Sequence, residues 1–449
     1  MATRALGVRV ATARRATRTV PLGALAVALA LRVAVVAAVP ARPAWDGVIY
    51  ARAAGQLARG EGYTQRSLDE EAPARPTAFY PVGYPAVLAA LRMAGFGARL
   101  DLWLQALAGV ALVPVGWALG RRLGGRRAGR YAAWLLALWP GGVLLSASYL
   151  AEPLFALGAG LALLPLAYAR RRQRLGALCV AGVALGFVAY LRPAALPMAA
   201  LAGLGLGALR VRAAWGRGWA ARARAAATAG AAGALALGLA AAPLAPWAAR
   251  NAHALGAPVL VSTNGGVNLL LGTFGEGGYG AIPPAEDCPH GQREVERDRC
   301  RQARALARIA ADPFAWLARG ALKLVDTFGH ESAPAYYLRD ALRLSPEAEA
   351  RAVLPLLALC RLGWIPALLG ALAGAAALRG RRLGAAHVAV LAPPAALAAL
   401  HFVYIGGDRY HAAVMPMIAA LAGLGLSEWS RRAGRGRAAE PSSPRRHAT

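Results

Sequence analysis

The sequence predicts an all-α polytopic membrane protein: a bundle of about ten transmembrane helices with two long extracytoplasmic loops. Three observations predict it. Of 449 residues, 57% are hydrophobic and only 16% are charged, whereas soluble domains run near ~25% charged. Charge-free apolar runs recur, among them 102–120, 132–145, 154–169, 226–249, 364–378 and 384–400, and about 17–25 such residues span a bilayer. Between these runs lie short arginine clusters.

The clusters orient the chain. The net charge is +29, from 51 basic and 22 acidic residues, a balance that often marks nucleic-acid binding. Its distribution argues against a nucleic-acid partner. Twenty-eight arginines fall in six short segments: 4–18, 121–130, 170–174, 210–224, 379–382 and 431–446. Glu440 is the only acid within them, and Glu428 stands just before the last. Short arginine-rich loops stay cytoplasmic and meet anionic lipid headgroups. Both termini are therefore expected inside a multi-pass cell-membrane protein, with membrane lipids as partners.

Ten spans satisfy this topology: 20–40, 102–120, 131–147, 153–169, 175–190, 193–209, 226–248, 356–378, 384–403 and 411–428. The first run also has the form of a signal peptide, but the many spans behind it favour an uncleaved helix. Val82–Phe96 cannot be one more span without breaking the topology and reads as an interfacial helix. The expected organisation is a basic tail at 1–19, then a transmembrane module at 20–248 containing the first outer loop, 41–101. An extracytoplasmic loop follows at 249–355, then C-terminal helices at 356–428 and a disordered tail at 429–449.

In the second loop, Arg297–Leu324 shows helical periodicity. Cys288 and Cys300 lie twelve residues apart there. An outside location permits a disulfide; a metal site with His290 is the alternative, though the spacing matches no strong zinc pattern. Four cysteines exclude a disulfide-dense scaffold, and the apolar content excludes disorder for most of the chain. No nucleotide-binding motif and no fixed-period repeat occurs.

Polar matter concentrated on the outer face points to chemistry there. Asp46 follows the first span; it is either a general base at a partly desolvated interface or the N-cap of a helix over 47–59. Glu152 stands between two apolar runs before Pro153, as a functional carboxylate or as an acid at a helix N-terminus. Arg192, Arg250 and Arg409 lie at outer span ends, and Arg32 lies within the first span. Guanidinium groups at that depth suit a lipid-linked phosphate; snorkelling to headgroups is the other reading. Tyr63, Phe79, Tyr80 and Tyr84 form an aromatic cluster, an interfacial belt or the lining of a sugar cleft. Asn264 and Asn268 sit in a glycine-broken loop, placed for sugar hydroxyls or for a plain turn.

Read together, these residues resemble polyprenyl-phosphate-dependent GT-C glycosyltransferases, and most closely the bacterial relatives of dolichyl-phosphate-mannose protein mannosyltransferases. The likeness runs from about 22 to 428 on ordered landmarks. They are Asp46-Gly-x-x-Tyr50, Phe79-Tyr-Pro-x-Gly-Tyr-Pro85, Glu152-Pro-Leu-Phe155, Leu191-Arg-Pro193, Pro246-Trp-x-x-Arg-Asn251, Val261-Ser-Thr-Asn-Gly-Gly-x-Asn268 and Arg409-Tyr410. The resemblance implies a GT-C-like bundle and an inverting transfer on the outer face. The donor would be a polyprenyl-phosphate-linked sugar, and the acceptor a glycan, lipid or protein.

The resemblance places the essential acid of the first loop at Asp46, and a substrate site at Tyr50, Tyr80, Tyr84, Arg192, Asn264, Asn268 and Arg409. Gly47 stands where many relatives carry a second acid, which leaves Glu152 to supply the second charge. Some relatives bind a divalent metal ion, so one is possible here, but no ligand set stands out. The rival class is a transporter or lipid flippase without covalent chemistry. It would show broken helices in matching halves, and none are evident.

Overall fold

The computed structural model describes residues 19–65, 74–214, 216, 218–275, 277–278, 280, 282–289 and 292–439, with side chains described as far as 433. The N-terminal basic tail before residue 19, His290 and residues 440–449 lie outside the described residues.

Helix α1, Leu22–Ala38, leads to α2, Asp46–Ala58. A two-residue antiparallel pair, β1 (Thr64–Gln65) and β2 (Arg75–Pro76), follows with Thr64 opposite Pro76. Then comes α3, Gly83–Met93, inside the segment expected to form an interfacial helix.

Helix α4, Arg99–Leu138, is two antiparallel arms. Gly125 turns the chain with φ 83°, ψ −171°, a conformation open to glycine and costly for other residues. The arms pack so closely that a Cβ on Gly129 would lie 2.7 Å from the Trp117 carbonyl oxygen. Arg32 crosses from α1 to the second arm, donating to the Leu136 carbonyl at 3.2 Å. It is fully buried and therefore ties helices together instead of facing a phosphate.

The short α5 (Pro140–Leu144) and α6 (Glu152–Tyr168) form a bent pair at 120°. Next come α7 (Arg174–Ala189), α8 (Ala195–Ala213), α9 (Trp219–Ala241) and α10 (Ala245–Leu255). The second long loop holds α11 (Gly265–Leu271), α12 (Glu294–Ala311), α13 (Pro313–Phe328) and α14 (Ala333–Leu342). The single helix expected over 297–324 is thus two helices. Pro313 cannot donate into a continuing ladder, and Asp312 caps the new start by accepting from the Ala315 amide at 2.9 Å.

The chain closes with α15 (Pro346–Ala376), α16 (Ala385–Val403), a 3₁₀ turn (Asp408–Val414) and α17 (Met415–Ala439). Helix α17 continues past residue 428, where a disordered tail was expected to begin. It packs against both α4 and α15 at the centre of one apolar core.

Among the described residues, seven helices are long and apolar enough to cross a membrane, or eight if the bent pair is one span. The ten expected spans all fall on helical segments, because α1 is an apolar helix of 17 residues and α4 supplies two arms. The protein is an all-α, multi-pass membrane protein.

Candidate functional site

Gly47 decides where the second carboxylate comes from. A Cβ there would lie 2.8 Å from Tyr149 Cβ, so packing of α2 against the α5–α6 corner leaves no room for an acidic side chain. Pro153 starts α6 at that corner and sets Glu152 at its first position, fully buried. Neither acid caps its own helix. Both face two arginines instead.

Arg192 Nη2 donates to Glu152 Oε1 at 2.5 Å. Arg409 Nη2 lies 2.7 Å from Asp46 Oδ2, and its Nε 3.7 Å from Glu152 Oε1. The Tyr80 hydroxyl donates to Asp46 Oδ1 at 2.9 Å, and Arg409 also donates to the Tyr337 hydroxyl. Tyr410 lies under both guanidinium groups, at 5.5 Å from Arg192 and 5.2 Å from Arg409, a cation–π geometry. Two carboxylates and two guanidiniums thus form one electrically neutral cluster. Burial pushes the Asp46 carboxyl up, but Arg409, the Tyr80 hydroxyl and Arg192 outweigh it and hold it below the ordinary carboxylate range. Asp46 is ionised at neutral pH.

The backbone ahead of Asp46 is held in a sparsely populated state. Trp45 has φ 52°, ψ −125°, costing on the order of 1–3 kcal/mol for a non-glycine residue. Its indole N–H donates to Asp340 on α14, and its ring lies 5.7 Å from that of Tyr337.

The cluster opens into a cavity of about 410 Å³. Asp46, Tyr50, Tyr80, Glu152, Arg192, Asn264, Asn268 and Arg409 all line it, so segments hundreds of residues apart converge. Tyr84 does not: it is 1% exposed, accepts from Gln105 at 2.7 Å and stands behind Tyr50, ring to ring at 5.2 Å. Arg250 is likewise outside the lining. It donates to the Thr77 carbonyl at 2.8 Å and the Tyr63 carbonyl at 2.6 Å, fastening the first outer loop to α10. Cys288 and Cys300 are disulfide-bonded.

Lining residues that the sequence did not single out include Asp298, Gln302 and His401; Tyr410 entered only through the Arg409-Tyr410 landmark. His401 stacks on Tyr410 at 4.2 Å. Glu294, Asp298 and Gln302 recur at spacing four, the one signal that marks them as a common helix face. Apolar lining comes from Leu191, Leu260, Leu397, Leu400 and Ala413, so the cavity is amphiphilic.

The donor set does not suit a resident divalent cation. Both cluster carboxylates face guanidinium groups, which repel a cation. Among the described residues no group of three or more His, Cys, Asp or Glu side chains is placed to hold one.

No protein-family model and no curated protein matches the chain. Solved structures do. The apo oligosaccharyltransferase of Archaeoglobus fulgidus superposes with a TM-score of 0.52 at 17% identity, over 93% of this chain and 51% of that one. The same enzyme tethered to an acceptor peptide containing the NVT sequon gives 0.50 at 16% identity, over 94% and 51%. ArnT from Cupriavidus metallidurans bound to undecaprenyl phosphate gives 0.49 at 15%, over 93% and 63%. The chain spans about half the length of the oligosaccharyltransferases it matches, and it shares their fold.

Proposed function

We propose that the protein is a membrane glycosyltransferase that moves a hexosyl or pentosyl group from a polyprenyl-phosphate donor to an acceptor on the outer membrane face, with inversion. One observation carries this reading. Asp46, Glu152, Arg192 and Arg409 meet at an amphiphilic cavity whose apolar lining belongs mainly to the spans and their outer ends and whose amide lining belongs to an outer loop. A lipid-linked phosphate needs both environments. The shared fold with an oligosaccharyltransferase and the ordered landmarks support it.

The step balances as follows. The acceptor hydroxyl oxygen forms a bond to the anomeric carbon. The bond from that carbon to the phosphate oxygen breaks, and the electron pair leaves with the polyprenyl phosphate. The hydroxyl proton passes by way of Asp46 to the departing phosphate. Arg409 holds the resting Asp46 carboxylate below its ordinary range; once Arg409 turns to the phosphate, Asp46 is freed to take the proton, while it orients the hydroxyl and offsets positive charge at the anomeric carbon. Arg192 and Arg409 exchange carboxylate for phosphate and stabilise the leaving group. No step needs a metal. By the arginine distribution, both termini lie in the cytoplasm.

The test is transfer of radiolabel from polyprenyl-phosphate sugars in membranes containing the protein. Asp46→Asn is expected to reduce transfer by about 10²–10⁴-fold while the protein still folds, read as a cooperative melting transition. Full activity in that variant would overturn the assignment, and substrate movement without a covalent product would favour the flippase.

A further inference from the structure

One wall of the cavity has no part in the charged cluster. On α12, Glu294, Asp298 and Gln302 share a face. Glu294 is committed to structure: it accepts from Thr77 Oγ1 at 2.7 Å, the Ala78 amide at 2.8 Å and Thr263 Oγ1 at 2.6 Å. It thereby joins the stretch carrying Tyr80 to the stretch carrying Asn264. One and two turns further on, Asp298 and Gln302 line the cavity beside Asn264 and Asn268. Asp298 accepts from the Gly266 amide at 2.6 Å and from Gln302 Nε2 at 2.9 Å. A carboxylate has about four acceptor positions, so two bonds fix its direction and leave capacity for others. Burial pushes its carboxyl up, against the Gly266 amide, Gln302 and Arg301.

The chemistry of this wall differs from that of the cluster. Among the described residues, the guanidinium groups lining the cavity are Arg192 and Arg409 alone, so phosphate has its partners there. Amides and a carboxylate offer donors and acceptors without a cation, which is what a ring of hydroxyl groups requires. Strong discrimination among sugars comes from such groups, because a missing hydroxyl leaves a buried polar atom unpaired.

We propose that Asp298, with Asn264, Asn268 and Gln302, forms the subsite that grips the hydroxyl groups of the donor's sugar, and that Asp298 sets which sugar is accepted. The proposal rests on the donor reading above.

The test uses the full chain in lipid nanodiscs. Binding is measured for bare polyprenyl phosphate and for polyprenyl phosphates carrying mannose, glucose, galactose or arabinose. The wild type is expected to bind at least one sugar-bearing lipid about tenfold or more tighter than the bare lipid. Asp298→Asn keeps an acceptor for the Gly266 amide; it is expected to lose most of that increment and to bind the bare lipid within about twofold of the wild type. Asn268→Ala, expected to lose part of the increment, carries the test if Asp298→Asn melts early. An increment intact in both variants overturns the proposal. So does an equal loss for bare and sugar-bearing lipids, which would make Asp298 only a tie to α11. A wild type that binds bare lipid without preferring any sugar overturns the subsite alone. A wild type that binds no polyprenyl phosphate overturns the donor reading and the subsite with it.

Discussion

Two clusters of buried charge flank the turn Asp408–Val414, and they differ in how completely they are closed. On one side, Asp408 accepts from the Ser332 amide, from Ser332 Oγ at 2.7 Å and from the Ala333 amide at 2.9 Å. His411 reaches the Thr327 carbonyl at 2.8 Å and Glu331 Oε1 at 3.1 Å, and Trp364 stacks on its ring at 3.8 Å. Trp139 donates to Glu331 at 2.9 Å. None of these residues lines the cavity of Asp46. On the other side, Arg409 and Tyr410 from the same turn face that cavity. There the carboxylates are held mainly by guanidiniums, and Glu152 Oε2 is buried without a hydrogen-bond partner. An unsatisfied buried oxygen costs on the order of 1–3 kcal/mol. Burial of charge alone therefore does not mark a site. The first cluster anchors the turn through hydrogen bonds to backbone and side chains, whereas the second opens on the cavity of Asp46.

Parallel substitutions in the two clusters would break or sharpen this contrast. The largest effect is expected from Glu152→Gln. It turns a neutral cluster into one of net positive charge, so polyprenyl phosphate should bind about tenfold tighter. Transfer should fall by about 10²–10³-fold, because Arg192 and Arg409 lose the carboxylate that positions them. In the radiolabel assay this reads as a lower KM alongside the lower kcat; a fall in transfer at unchanged KM, matched by lower yield of folded protein, would mean simple unfolding.

A smaller effect is expected from Glu331→Gln, which weakens the closed network without touching the cavity. Stability should drop by about 1–3 kcal/mol, read as a lower melting temperature. Transfer by the folded protein should stay within about threefold of wild type. Transfer lost as deeply as in Glu152→Gln would show that both clusters belong to the reacting machinery.

Long-range order explains what the sequence could and could not disclose. Arginine placement laid out the spans, because the rule acts on short loops one at a time. Asp46, Glu152, Arg192 and Arg409 were legible as charges at outer span ends, where charge is expensive. Their pairing was not, since it joins residues 46 and 409 through the packing of α17 against α4. Arg32 and Arg250 were the weaker candidates for a phosphate beside Arg192 and Arg409; the backbone carbonyls they reach give them structural partners instead. Tyr84 lies four residues beyond Tyr80, yet helix α3 turns it inward towards Gln105. The face of Glu294, Asp298 and Gln302 was present as a spacing, but it runs on into Ala305 and Ile309, and apolar periodicity drew attention to that end of the stripe.

The smallest effect concerns pH and bears on which carboxylate handles the proton. The folded-state pKa of Asp46 is depressed by Arg409, Tyr80 and Arg192 acting against burial. A depressed carboxyl contributes stability that is present above its unfolded value, about 4, and is lost as pH falls through the lower folded value. Between pH 7 and 5 the melting temperature of Asp46→Asn should therefore run parallel to and below that of the wild type, and the two should converge only as pH falls below about 4. Transfer that depends on Asp46 should be flat over the same interval. Asp298, pushed the other way by burial, titrates at higher pH than Asp46. A transfer rate falling steeply between pH 7 and 5, with the fall removed in Asp298→Asn, would move the proton-handling role from the open cluster to the sugar-facing wall.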